Sequence, residues 1–346
     1  MVKKTLCVFA VCGVLAASAS AQSNLTIYGV ADAGIVRESG GVPGTTTNLS
    51  SGVASGSRLG LRGAEELGGG MSALFVLESG VLIDTGASAQ GGLLFGRQAL
   101  AGLKNSYGSL TLGRQYTPLF AAVSAIDPFL GIALAGTSAN LLSQGGLRLN
   151  NAVKYTAPRV GGWSGELAYS LGEVAGNSSA GRQIGAFLNY QRGAFGLALG
   201  HHDAHNVPSA TAAADNGKTT ILGATHAVGA VKLALGYAVN KGLVTINGTV
   251  NRDTRDTLAG MTLPFGASTV LVSYIHKQDK SGLGRDADQW AAGYLYALSK
   301  RTDLYASYAR IHNHAAPGTP GFYTVGNATA AGTGDQAYNL GMRHTF

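Results

Sequence analysis

The 34 residues TPLFAAVSAIDPFLGIALAGTSANLLSQGGLRLN, at positions 117–150, follow the period of neither a strand nor a helix. They leave an alternating run, LTLGRQY (110–116), and lead into another, AVKYTAP (152–158). A connection this long is uncommon unless it is functional or disordered, and Pro118, Phe120, Pro128 and Phe129 make it too apolar to stay in solvent. It must fold back onto something. If its flanking strands belong to a wide barrel, the surface able to receive it is the inner wall, where it narrows the opening.

Outward from this stretch the period is two almost everywhere. VKLALGYAV (231–239) sets Val231, Leu233, Leu235, Tyr237 and Val239 on one face, and Lys232, Ala234, Gly236 and Ala238 on the other. The half-buried strands of a soluble sandwich alternate in the same way, so single segments decide little. Count and spacing decide more. Sixteen such runs are predicted, from 24–36 to 335–346, with the second at 54–66 and the fourth at 92–104, and most are long enough for a tilted strand to cross a bilayer. Short turns follow the even runs and longer polar loops the odd ones. That is the topology of an outer-membrane barrel, whose even strand number lets the first and last strands pair. The final run alternates Tyr338, Leu340, Met342, His344 and Phe346 with polar or small residues up to the terminal aromatic.

Composition limits the remaining possibilities. Lys3 and Lys4 precede an apolar run ending in Ala19-Ser20-Ala21, which reads as a removed export signal at 1–21, leaving 22–346 as one domain without a linker. Both cysteines, Cys7 and Cys12, fall in the removed part, so no disulfide, thiol chemistry or Cys metal site is expected. No later stretch reaches the roughly 18 apolar residues of a spanning helix, since Asp127 and Pro128 break the nearest one. Without Lys3 and Lys4 the chain holds 23 basic against 18 acidic side chains, a formal +5 that leans toward anions. Basic residues and aromatics are not clustered as nucleic-acid binding requires, so no nucleic-acid partner is expected.

Several motifs together carry a resemblance. They are LTIYG (25–29), SRLGLRGAEELGGG (57–70), LFGRQA (94–99), LTLGRQYTP (110–118), LSKRTDLY (298–305) and LGMRHTF (340–346). Over its whole length the chain resembles the general diffusion porins of Gram-negative outer membranes, in their betaproteobacterial branch. The resemblance implies an all-β, 16-stranded antiparallel transmembrane barrel, an inward-folded third external loop, a homotrimer, and passive diffusion of small hydrophilic solutes and inorganic ions. Two departures stand out. Thr345 occupies a position where this branch often has a basic residue, and the loop carries one acid, Asp127, where relatives often have several.

Arg58, Arg62, Arg97 and Arg114 are expected on the pore wall, with Asp127 and Arg148 on the loop and Arg343 inward by the parity of the last strand. A ring of charges is how such pores select, and this one predicts a weak anion preference. The parity is clear for Arg58 and Arg62, because Leu59 and Leu61 take the outer face. It is ambiguous for Arg97, which shares a face with Phe95, and for Arg114, which shares one with Leu110 and Leu112. The competing reading pins the arginines on Asp32, Glu66 or Glu78. Trp163, Trp290, Tyr294 and Phe346 are expected at the membrane interface, in contact with outer-membrane lipid, while outward Gly29, Ala31 and Ala33 suit close subunit contact. His201, His202 and His205 imitate metal-ligand spacing, but two of them point to opposite faces, and neither a metal nor a cofactor is expected. No G-x-S-x-G, phosphate-binding glycine loop or H-E-x-x-H is present, which argues against an enzyme. The alternatives are a solute-specific outer-membrane channel, or a barrel acting as an adhesin or surface scaffold.

Overall fold

The computed structural model describes residues 24–129, 135–142, 146–205, 216–242, 244–246, 249–251, 253–314, 322–326 and 333–346. The expected export signal at 1–21 lies outside them. Sixteen strands form the frame: β1 (Asn24–Ser39), β2 (Arg58–Gly68), β3 (Met71–Gly80), β4 (Gln98–Asn105), β5 (Gly108–Tyr116), β6 (Arg148–Thr156), β7 (Trp163–Ser170) and β8 (Gln183–Arg192). The second half comprises β9 (Phe195–His205), β10 (Asn216–Val228), β11 (Val231–Lys241), β12 (Thr254–Phe265), β13 (Ser268–Asp279), β14 (Ala287–Ala297), β15 (Thr302–Asn313) and β16 (Gln336–Thr345). Each strand pairs antiparallel with its neighbours in sequence, and β16 returns to pair with β1 from Val30 opposite Thr345 to Ser39 opposite Gln336. The sheet closes, so it has no free edge.

Alternation divides the strands into two faces of opposite character. Leu25, Ile27, Leu167, Leu222, Leu235 and Leu340 point outward and are each more than half exposed. Their inward neighbours, among them Asp32, Ala198, Ile221, Ala238 and Ala291, are buried. In water a continuous band of exposed leucines would be a liability; around a closed sheet it matches hydrocarbon, because every backbone group is already paired within the ladder.

The structure corrects the expected boundaries in three places. The run predicted at 54–66 becomes a strand only at Arg58, where β2 begins, and a short strand not expected from the sequence, Thr46–Ser51, precedes it and pairs with the outer half of β1. Residues 52–57 between them fold over Asp32, whose carboxylate accepts the N–H groups of Ala54 at 3.0 Å and Ser55 at 2.8 Å, and the Tyr305 hydroxyl at 2.7 Å. Asp32 is therefore occupied with loop and barrel contacts rather than with the wall arginines. The run predicted at 92–104 starts as a strand only at Gln98, which leaves Arg97 before β4.

The third correction falls in the 117–150 segment, which contains a helix, α1 (Pro118–Ile126). Its start signals are local: the Thr117 side chain accepts the Phe120 N–H at 3.1 Å, and Pro118 sits in the first turn, where its missing N–H costs nothing. It ends because Pro128 disfavours helical geometry at Asp127. The apolar period is hidden because PLFAAVSAI is apolar nearly all round, with only Ser124 as a polar residue.

At the closing seam the Gly29 N–H donates to the Phe346 carbonyl at 2.9 Å, and the Phe346 N–H returns to Gly29 at 3.1 Å. A Cβ at Gly29 would lie 2.3 Å from the Phe346 ring. The outward notch expected at Gly29 is thus filled by the chain's last side chain. Gly29→Leu should displace that ring and cost the closed barrel about 1 to 2 kcal/mol of burial, seen as a lower unfolding temperature in detergent. An unchanged transition would mean that the ring does not help to close the seam.

Candidate functional site

The loop lies on the face opposite the exposed leucine band, in a seat made by glycines. One inward glycine from each of six strands faces it: Gly185 (β8) meets Pro118, Gly200 (β9) meets Ala122, Gly223 (β10) and Gly236 (β11) meet Ile126, Gly260 (β12) meets Pro128, and Gly293 (β14) meets Phe129. A Cβ added at any of them would come within 3.0 Å of the loop side chain that it faces. The missing side chains let helix and wall approach closely, and Leu119, Ala122, Val123, Ile126 and Phe129 are buried as a result. Burying each of the larger ones contributes about 1.5 to 3 kcal/mol.

Polar ties hold the second half of the loop. Gln289 (β14) donates to the carbonyls of Gly136 at 3.2 Å and Thr137 at 3.3 Å, and its Oε1 accepts from Asn140 at 2.8 Å. The Ala135 N–H donates to Asn339 of β16 at 2.9 Å. Asp127, expected to face the channel as a charge, is buried instead. Its two oxygens accept the backbone N–H groups of Phe129 and Ser138, each at 2.9 Å. Burial raises its carboxyl above the ordinary value, and hydrogen bonds from Ser138 and Phe129 pull the other way. Its effect is to fold the loop on itself.

The arginines gather on the other side, across β1 to β6. Arg97 Nε donates to Glu78 Oε1 at 2.8 Å and its Nη2 to the Tyr116 hydroxyl at 2.6 Å; Arg148 Nη2 reaches the same hydroxyl at 3.1 Å, with its guanidinium 4.7 Å from the Tyr116 ring centroid. Glu78 also accepts from the Tyr28 hydroxyl at 3.0 Å. Arg58 donates to Ser55, and Arg62 lies over the Tyr28 ring at 5.2 Å. Arg114 donates to the Gly96 carbonyl at 2.8 Å and to Asn150. Lys154, which the sequence did not single out, contacts Glu166 at 3.3 Å and the Tyr116 carbonyl at 3.4 Å.

Six basic side chains thus share this patch with two carboxylates, Glu78 and Glu166. Of the three acids that could pin the arginines, Glu78 does so, while Glu66 is exposed. The parity ambiguities also find their cause. Arg97 precedes its strand, so Phe95 says nothing of its direction, and Arg114 sits in a bulge where the β5–β6 register shifts between Gly113 and Gln115. A bulge resets the alternation that a sequence reader counts on.

Arg343 is held by Asp303 at 2.8 Å on the neighbouring strand. Trp163, Trp290, Tyr294 and Phe346 are all exposed on the outer wall, Trp163 packing tilted against Tyr190 at 4.8 Å and Trp290 against Tyr274 at 4.3 Å. His201 bonds Thr220, His202 is buried against Gln183 and His205 contacts Arg182; no metal-binding group occurs among the described residues.

A closed antiparallel sheet, aliphatic outside and polar within, with an aromatic belt, defines a transmembrane β-barrel. The chain belongs to the Gram-negative porin family, whose model matches residues 7–316. It is 32% identical to outer membrane porin protein 32 of Delftia acidovorans, over 99% of this chain and 100% of the relative. To an outer membrane porin protein of Bordetella pertussis it is 30% identical, with the same coverage. Among solved structures, an anion-selective porin from Comamonas acidovorans superposes with a TM-score of 0.78 at 28% identity, covering 94% of this chain and 100% of that one. The protein is accordingly a porin of the bacterial outer membrane, a passive channel for small hydrophilic solutes and ions.

Proposed function

We propose that the loop seated on β8 to β14 and the basic patch on β1 to β6 are the two sides of the pore constriction, and that the gap passes anions more readily than cations. In a ring of sixteen strands, walls about eight strands apart face each other. The observation that carries the reading is the charge imbalance between them: on one side six basic side chains contact two carboxylates, Glu78 and Glu166, the inward Asp32 being taken up by Ala54, Ser55 and Tyr305, and on the other is a loop whose single acid, Asp127, is buried and hydrogen-bonded. A solved relative is itself titled an anion-selective porin. Reversal potential across a KCl gradient tests the sign, and a cation-selective wild type would overturn the reading.

The functional unit in this reading is a homotrimer of chains beginning near Gln22 after removal of the export signal, each folding as one barrel domain and none carrying out catalysis. Arg343, its charge offset by Asp303, tunes the field weakly. The subunit contact falls on the outer face of β1 to β5, because both tryptophans and most outward tyrosines lie on β7 to β15. Native mass measurement in mild detergent should give three chains per particle, and a uniform monomer would rule the assembly out.

A further inference from the structure

We propose that the outer face of the barrel, at the loop ends of β13, β14 and β15, is a docking site for the phosphate headgroup of an outer-leaflet lipid. Trp290, packed against Tyr274 and exposed, marks the interface on this side of the wall. One step toward the long connections, Asp288 accepts from the Tyr274 hydroxyl at 2.6 Å, and its two oxygens meet His276 Nδ1 at 2.7 Å and His314 Nε2 at 2.6 Å. His312, opposite Asp288 in the register, stands edge-on to His314 at 4.7 Å. Arg310, opposite Trp290, and Arg255 on the flanking β12 are exposed, and neither is in an ion pair among the described residues.

The charge on this face is one-sided. Toward the imidazoles face Arg255 from β12, Tyr274 from β13, Asp288 from β14, Arg310 and Tyr308 from β15, and Tyr338 from β16, which packs tilted against Tyr308 at 4.6 Å. Asp279 and Asp286 turn away, taking backbone N–H groups within the 279–286 turn. By strand register Asp288 thus shares the outward face with two guanidiniums and three imidazoles, at the loop ends of the strands, and Asp335, near Tyr308, is the other carboxylate close by. A phosphate monoester brings up to two negative charges and three acceptor oxygens, which suits guanidinium and imidazolium donors together.

The test uses the full barrel in mild detergent, offered a bis-phosphorylated acylated disaccharide lipid or the same lipid without its phosphates, with retained lipid counted by native mass spectrometry. The wild type should retain the phosphorylated lipid about ten-fold more than the other. His276→Gln, Arg310→Gln and His312→Gln together should abolish the difference. Single-channel conductance of that variant should stay at the wild-type value, since the cluster is outside the lumen, which shows that the barrel is intact. Equal retention of the two lipids by the wild type, or an undiminished preference in a normally conducting triple variant, would overturn the proposal.

Discussion

Deleting residues 119–128, the helix and the turn that follows it, should raise single-channel conductance while the barrel still inserts. The helix contributes no strand pairing, and loop length alters closure entropy only slowly, so the sixteen-strand ring should survive the loss. A gentler variant acts on the seat instead of the loop. A Cβ at Gly223 would stand 2.4 Å from Ile126 Cγ2, and one at Gly236 would stand 2.6 Å from Ile126 Cδ1. Gly223→Val with Gly236→Val should therefore lever Ile126 out of a buried site, weakening the seating of the helix by about 2 to 4 kcal/mol. Conductance should become noisy or larger, and the loop should become cleavable by added protease. If both variants insert normally and conduct like the wild type, the segment does not bound the conducting path.

Removing charge from the opposite wall should lower anion preference without enlarging the pore. Arg114→Ser and Arg62→Ser suit this test, because neither residue is paired with a carboxylate among the described residues. Arg97→Ser is a poorer choice: Glu78 is buried, and orphaning it should cost about 3 to 5 kcal/mol of stability, so Arg97→Ser is combined with Glu78→Gln. Two unit charges about 4 Å apart interact by roughly 1 kcal/mol in water and about 4 kcal/mol at an effective dielectric near 20, and a wet pore lies nearer the first. The wild-type preference should thus be a few-fold, weakening as KCl rises because the Debye length is about 8 Å at physiological salt. Lys241→Ser, at the exposed outer end of β11, should change the reversal potential less than either arginine variant. Equal effects at all three positions would show that the patch holds no special place in the field.

The strand inventory was legible because it depends on local alternation alone. Where residues such as Leu233, Leu235 and Tyr237 must meet hydrocarbon while Ala234, Gly236 and Ala238 must not, the period of two is written directly into the chain, and closure follows from an even count of such runs. What hid from the sequence was whatever depended on partners distant in the chain. Residues 54–57 leave the expected strand because the Asp32 carboxylate takes the N–H groups of Ala54 and Ser55, and that carboxylate is itself held by Tyr305, near the other end of the chain.

The arginine wall was half legible for a related reason. Arg58 and Arg62 sit in unbroken alternation, whereas Arg97 lies outside its strand and Arg114 sits in a bulge, so parity could place the first two and not the others. Helix α1 left only its capping threonine and proline as signals, since a helix enclosed on most sides needs no polar face. The six-glycine seat was present in the sequence as an excess of glycine, but only strand register aligns residues from 185 to 293 into one track beneath the loop. By itself the sequence determined that the chain forms a wide barrel with one long apolar connection, because alternation and length are properties of the chain. Tertiary structure alone decided which wall receives that connection, that Asp127 is buried against the backbone of its own loop and how the basic side chains come together, because each depends on which strands stand opposite one another once the ring has closed.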